Sequence, residues 1–463
     1  MVMANNASAW KIAVIGAGPA GFYAAEHFLK QDEPTVTVDM FDRLPTPYGL
    51  VRAGVAPDHE KIKNVTRVFE KTADREGFRF FGNVDYGRDI TLDDLEKHYH
   101  QVYFSTGAQV DRSLGIEGER LPRSHSATEF VAWYNGHPDF RDLDFDLSQE
   151  RVAVIGVGNV AVDVARILSR TVDELKQTDI ADYALDRLAE SRVREIVMIG
   201  RRGPAQAAFT LPEIKELGQM QDAGVSVMAA DMELDRHTLA QLESDPDRMT
   251  TKKLEVMRSY IGGTNPDASR QCIIRFLLSP IAIHAAPDGG AGSMTLMRNR
   301  LEPGRGTRLS AVATGITERL ACGLVFRSVG YHGVALPEIP FREDWGTVPN
   351  QLGRVTREDG TAVTGVYVGG WIKRGPTGII GTNKPDAIET VNCMLEDLAS
   401  GLVFSPTGLD MAETLQERGI CYVTFADWKR LDALETENGR VQGRPRVKFT
   451  RVEDMLSALS PQT

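Results

Sequence analysis

No stretch of this 463-residue chain reaches the roughly 18 consecutive apolar residues that a membrane-crossing helix needs. Its first residues lack the basic region and apolar run of a secretory signal, so the chain is expected to be cytoplasmic. On that reading Asn6-Ala7-Ser8, a glycosylation sequon in form, carries no sugar. Cysteine is scarce. Cys272, Cys322, Cys393 and Cys421 are far apart, and none forms a C-x-x-C pair. That excludes the usual disulfide-reductase chemistry and gives no zinc-ligand pattern. Positive charge is also short: 53 Lys and Arg against 64 Asp and Glu leave a net charge of −11. An acidic chain is a poor general partner for nucleic acid or anionic membranes, so neither is expected. No 20–50-residue repeat array and no low-complexity tract is visible.

What is present is glycine in two informative places. The apolar strand Lys11 to Ile15 runs into Gly16-Ala-Gly-Pro-Ala-Gly21 and then into a helical stretch, Phe22 to Leu29. A second apolar strand, Val36 to Phe41, ends at Asp42. This is a β-α-β unit whose first turn is built from glycine, the context that makes G-x-G-x-x-G a dinucleotide-binding signal. Gly16 permits the tight turn, Gly18 lets backbone approach a pyrophosphate, and Gly21 lets helix pack on strand. The positive end of the helix stabilises the phosphates. Asp42 accepts hydrogen bonds from ribose hydroxyls and repels a 2′-phosphate, so this site suits FAD or NAD.

The same grammar returns at Arg151 to Ile155, followed by Gly156-Val-Gly-Asn-Val-Ala161 and a helix from Val162. The next strand, Glu195 to Ile199, ends not in an acid but at Arg201 and Arg202. Guanidinium groups form paired, charge-assisted hydrogen bonds to phosphate oxygens, so this second site suits NADP. The residues between that first helix and this strand read as one extra surface helix. Two sites of opposite preference in one chain point to hydride transfer from NADPH to a flavin. The fold expected is α/β, with two Rossmann-like dinucleotide-binding domains. Chain crossings near Asp111–Arg120 and Leu324–Tyr331 place the NADP domain, 109–330, inside a discontinuous FAD domain, 1–108 and 331–463. The tail after Ser400 is expected to complete the FAD domain.

Three segments carry a closer likeness: Pro45 to His59 (PTPYGLVRAGVAPDH), Gly200 to Pro204 (GRRGP) and Gly370 to Gly381 (GWIKRGPTGIIG). With them nearly the whole chain resembles the adrenodoxin reductase family, in particular its bacterial, mycobacterial-type NADPH:ferredoxin reductases. The resemblance implies electron transfer from NADPH through FAD to a small iron–sulfur protein, a ferredoxin. It places FAD contacts on Gly16, Gly18, Ala20, Gly21, Asp42, Leu50, Val84, Trp371, Gly378, Ile379 and Ile380. It places NADP contacts on Gly158, Asn159, Val160, Ala161, Arg201, Arg202, Glu213 and Gly378, and an ion couple on His59 and Glu216. Asp42 stands where glutamate is commoner in the family, and Pro212 adjoins Glu213 where others have a non-proline residue.

Thr210-Leu-Pro-Glu213 also has the form of a helix capping box, and Glu213 and Glu216 share a helix face. Basic candidates for docking an acidic ferredoxin are Lys252, Lys253 and Arg258, or Arg298, Arg300, Arg305 and Arg308. A glutamate-synthase small-subunit type of flavoprotein is the nearest alternative enzyme. The absence of any cysteine before Cys272 argues against its N-terminal cluster-binding region. A non-catalytic, nucleotide-binding redox sensor is the alternative outside enzymes. It lacks support in a recognisable DNA-binding motif.

Overall fold

The computed structural model describes residues 9–304, 306 and 308–460. Asn6-Ala7-Ser8 and Arg305 lie outside the described residues.

The short apolar runs become buried parallel strands, as continuous β-branched and aromatic runs do when both faces of a sheet are covered. Trp10–Ile15 pairs in parallel with Val36–Asp42 on one side and Gln101–Phe104 on the other. Phe78–Gly82 extends one edge, and Ala362–Val368, pairing beside Gln101–Phe104, leads to a small antiparallel extension at the other. The result is a seven-stranded sheet to which chain positions before 105 and after 349 both contribute. One face is covered by the helices Pro19–Phe28, Asn383–Ala399 and Phe425–Val441, through side chains such as Phe22, Phe28, Met394 and Trp428. The other is closed by Leu95, Tyr99, Ile372 and Leu415.

The second sheet is wholly parallel, in the order Ser124–Ser126, Leu324–Arg327, Arg151–Ile155, Glu195–Ile199, Arg270–Arg275, Ala223–Val227. Helices, including Asn159–Ser169, cover one of its faces. The other face meets a three-stranded antiparallel sheet, Leu278–Ala285, Ala291–Pro303 and Leu309–Ala321, through Leu278, Met294 and Leu296. Between the two large sheets the chain crosses twice, and the crossings pair with each other: Tyr331 and His332 lie antiparallel to Asp111 and Val110.

Two local expectations are corrected, and the tail makes contacts beyond those expected. The segment between the second glycine-turn helix and Glu195–Ile199 forms two helices, Val172–Leu175 and Asp182–Ala189, not one. Thr210 occupies the N-cap of Leu211–Leu217, but its side chain makes no cap hydrogen bond; Glu213 turns to a buried arginine instead. The tail also does more than finish the first sheet. Lys448 reaches Asn135 O (3.1 Å) and Asp179 (3.1 Å), while Arg444 bonds Thr178 O (3.0 Å), Ile180 O and Asp182. Among the described residues no helix is long and apolar enough to cross a membrane.

Candidate functional site

Each glycine turn does two separable things. At the first, Gly16 has φ +105°, and a Cβ there would stand 2.6 Å from Ser105 O. A Cβ on Gly21 would strike Gly16 O. Both glycines are therefore demanded by packing. Gly18, the N-cap of Pro19–Phe28, is different: a Cβ there meets nothing within 4 Å. The second turn repeats this division. Gly156 (φ +137°) abuts Ser328 O, Ala161 is fully buried, and Gly158 faces open space at the N-cap of Asn159–Ser169. Two helix N-termini, each with unbonded backbone donors, thus open onto space that fits an anionic pyrophosphate.

Around the first turn, Asp42 ends its strand and accepts from Ala17 N (2.9 Å) and Leu44 N (3.0 Å). Burial pushes its carboxyl above the ordinary aspartate range, with these two amides pulling the other way. Each carboxylate oxygen keeps a further acceptor site for a ribose hydroxyl. Buried Val84 donates its N–H to Asp42 O (3.0 Å). Leu50 begins the short helix Leu50–Ala53 and is largely exposed beside Gly49, whose Cβ position lies 3.2 Å from Gly18 Cα.

The motif from Gly370 arrives at the same place from the far end of the chain. A Cβ on Gly370 would stand 2.7 Å from Ala20 Cβ, so the Gly370–Trp371 turn lies directly on the first glycine-turn helix. Asp386 fixes it by accepting from Gly370 N (2.6 Å) and pairing with Lys373 (3.0 Å). Trp371 stacks on Tyr331 with ring centres 5.5 Å apart. Its indole Nε1 is buried without a partner, a donor that a bound ring system would satisfy. Gly378 has φ +82°, Ile379 is 60% exposed, and Ile380 opens the turn before Asn383–Ala399.

Near the second turn, Asn159 accepts from Thr210 N (2.9 Å) and Val160 packs on the core. Arg201 and Arg202 follow their strand. Their carbonyls are held by Asn299 Nδ2 (2.9 Å) and Leu277 N (3.1 Å). Neither guanidinium has an ion-pair partner among the described residues. Burial, with Arg201 and Arg308 close by, holds the Arg202 guanidinium below its ordinary value. Uncompensated like charges of this kind fit a phosphate dianion.

The structure also joins residues remote in sequence. His59 Nε2 lies 2.7 Å from Glu216 Oε2. Beneath this pair is a charged cluster that the sequence did not disclose. Arg166, fully buried, contacts Asp58, Asp163 and Glu213, and Arg170 contacts Asp58. Burial alone would raise Asp58, but Arg166 and Arg170 outweigh it and hold its carboxyl well below the usual range. Glu213 goes the other way: burial and Asp163 push it up to about 7, against Arg166 and His59. Asp163 is likewise raised by burial. The one visible signal was the pair Asp163 and Arg166, three apart in the otherwise apolar helix NVAVDVARILS.

The docking candidates separate. Lys253 donates to Ala207 O (2.8 Å), Arg298 pairs with Asp231 and Glu318 (3.6 Å each), and Arg300 pairs with Glu302 (2.8 Å). Lys252, Arg258 and Arg308 have no ion pair among the described residues.

Residues 10–200 match the pyridine nucleotide-disulphide oxidoreductase family model. All four cysteines are free: Cys272, Cys322 and Cys393 are buried and Cys421 is exposed. The chain is 44% identical to the NADPH-ferredoxin reductase FprA of Mycobacterium leprae, over 96% of this chain and 97% of that one. It is 41% identical to the mitochondrial NADPH:adrenodoxin oxidoreductase of Salvelinus fontinalis, over 97% and 91%. The structure of Mycobacterium tuberculosis FprA in complex with NADPH superimposes with a TM-score of 0.91 at 42% identity, covering 97% of this chain and 99% of that one. Relatedness of this extent along both sheets and both glycine turns shows that the chain belongs to the adrenodoxin reductase family of NADPH-dependent flavoprotein reductases.

Proposed function

We propose that this protein is a ferredoxin–NADP reductase that takes reducing electrons from NADPH, through bound FAD, to a small ferredoxin. The observation that carries the reading is the pair of open helix N-termini at Gly18 and Gly158, each after a parallel-paired strand of its own sheet, together with the contact between His59 and Glu216. Residues 1–108 and 331–463 form the FAD-binding domain, and 109–330 the NADP-binding domain.

The Gly16–Gly21 turn, Asp42, Leu50, Val84, Trp371 and Gly378 to Ile380 hold FAD. Gly158 to Ala161, Arg201, Arg202, Glu213 and Gly378 hold NADPH. When bound, the flavin supplies the exchange between a two-electron donor and an acceptor that takes electrons singly. The chain's own residues orient, neutralise and exclude water. Two arginines distinguish a 2′-phosphate from a free ribose, and their removal leaves that phosphate without its paired donors. His59 and Glu216 balance charge at the junction of the two sites. Neither is an obligatory proton donor to the reaction, so replacing either lowers turnover by far less than about a thousandfold.

The acceptor is a small, acidic iron–sulfur protein met in the cytoplasm. Of the basic candidates for docking, Lys252, Arg258 and Arg308 are the ones without an ion pair among the described residues, on a chain that is acidic in total. Ferredoxin-linked turnover should therefore fall steeply between low and moderate salt, while NADPH-to-dye turnover falls much less. A flat salt response removes the basic docking patch.

The direct test is the visible spectrum of the purified protein during anaerobic titration with NADPH and then NADH. A flavin spectrum bleached far more readily by NADPH is the expected result. A colourless protein that FAD does not reconstitute overturns the reading, and equal bleaching by NADH removes the role given to the two arginines.

A further inference from the structure

Arg201 and Arg202 lie in a turn between Gly200 and Gly203, the residue type that restrains backbone least. Two long side chains are placed only as well as the backbone they start from, and here that backbone is held from outside. Three successive carbonyls are taken up: Gly200 O accepts from Leu278 N (3.0 Å), Arg201 O from Asn299 Nδ2 (2.9 Å) and Arg202 O from Leu277 N (3.1 Å). All three donors belong to the antiparallel sheet Leu278–Ala321 or to the residue that leads into it. Asn299 is buried, its side-chain amide also donates to Ser279 Oγ (2.8 Å), and its backbone N–H donates to Leu277 O (2.7 Å). A carbonyl oxygen only accepts, so the nitrogen of the Asn299 amide is the atom that faces Arg201.

The donors to the two arginine carbonyls sit at irregularities of the backbone. Leu277 has φ +57°, the left-handed region that a side chain such as leucine rarely adopts. The pairing of Ala291–Pro303 with Leu309–Ala321 shifts register between Met297 and Asn299, a bulge of the kind that re-aims a side chain. A regular antiparallel sheet needs neither. Strain of this sort persists where the surroundings over-determine it, and both irregularities end on the backbone of the arginine pair. We propose that Asn299 is a positioning residue for the ribose 2′-phosphate site: it fixes the turn from which Arg201 and Arg202 reach that phosphate, and so makes the antiparallel sheet part of the preference for NADP. This role rests on the reading of the two arginines as the 2′-phosphate site.

Calorimetric titration of the FAD-loaded protein with NADP+ and with NAD+ tests it. Asn299→Leu keeps the volume and removes the donor. It should weaken NADP+ binding about tenfold, the effect of one misdirected charge-assisted hydrogen bond, and leave NAD+ binding within about twofold of the parent. A merely structural residue would weaken both nucleotides in step; that outcome, or an unchanged NADP+ affinity, overturns the proposal. In anaerobic stopped-flow the same variant should need more NADPH for half-maximal flavin reduction at an unchanged limiting rate, and a lower limiting rate with an unchanged midpoint overturns it. Should Asn299→Leu fail to fold, Ser279→Ala removes the hydroxyl that orients the amide. It should weaken NADP+ by a smaller factor, about threefold, with NAD+ unchanged, and no change in either overturns the proposal. A parent that binds NADP+ and NAD+ alike contradicts the role of the two arginines and takes this one with it. A parent that prefers NADP+, with an Asn299→Leu protein that prefers it equally, leaves the arginines their role and overturns only that of Asn299.

Discussion

Arg201 and Arg202 show how far a residue's position in a motif determines its use. Exposed arginines are usually solvated, but these two follow a strand of the second sheet, their backbone pinned by Asn299 and Leu277, with no carboxylate paired to them among the described residues. Hydrogen bonds to charged groups contribute about 1.5–3 kcal/mol each. Replacing either by alanine should therefore lower kcat/KM for NADPH roughly tenfold to a hundredfold and leave that for NADH nearly unchanged. Steady-state kinetics with the two nucleotides checks this. Glu213 gives a prediction in pH. Burial and Asp163 raise its folded-state value to about 7, whereas the unfolded chain titrates near 4.5. Between those values the folded state holds a proton that the unfolded state has released. The contribution of Glu213 is thus fully present below about pH 4.5 and lost as pH rises through 7. Glu213→Gln, which stays neutral, should melt higher than the parent at pH 8, and the gap should close toward pH 5. A gap that widens toward acid would contradict the assignment.

At the scale of the element, the glycine turn divides into glycines the fold needs and glycines the ligand needs. Gly21 backs onto Gly16 O and the Val14 side chain, so Gly21→Val overpacks the strand–helix contact and should cost about 1–3 kcal/mol or more. Gly18 has ordinary φ (−85°) and open space before it. Gly18→Val should leave the chain folded, with urea stability within about 1 kcal/mol of the parent, yet purify without flavin. Comparing absorbance at flavin wavelengths with urea midpoints separates the two effects. The sequence exposed these elements because glycine spacing and short apolar runs are local signals. It exposed the antiparallel sheet Leu278–Ala321 poorly, since those strands replace a helical layer and their partner surface comes from elsewhere in the chain. The T-x-x-E pattern at Thr210 misled for a related reason. Its local geometry was available, but Arg166 competed for the Glu213 carboxylate and won through a buried, charge-assisted contact.

Across the whole molecule, the C-terminal segment ties the first sheet to the side chains and backbone around 178–182. Lys63, from the first part of the chain, and Lys448, near its end, both hold Asp179, which is almost fully buried. Burial pushes Lys448 down to about 7 against the pull of Asp179. Removing the shared anion leaves two cations together, one of them wholly enclosed. Asp179→Ala should therefore cost about 3–5 kcal/mol in chemical denaturation, whereas Lys448→Met, which leaves Asp179 paired with Lys63, should cost less. Equal effects would show that the triad does not act as a unit.

The sequence by itself determined the two glycine turns and the family, and it carries the proposal of opposite ribose preferences, because each rests on residue type at short fixed spacing. The tertiary structure puts His59 against Glu216, a pairing the resemblance had implied, and it alone decided that the Gly370–Trp371 turn meets Ala20's helix and that Arg166 sits beneath that pair. Those contacts join positions from 107 to more than 300 residues apart. Nothing local in the chain encodes them: they form because burying the sheet faces brings the crossings and the tail together. A guanidinium once enclosed there must then find carboxylates from every element around it.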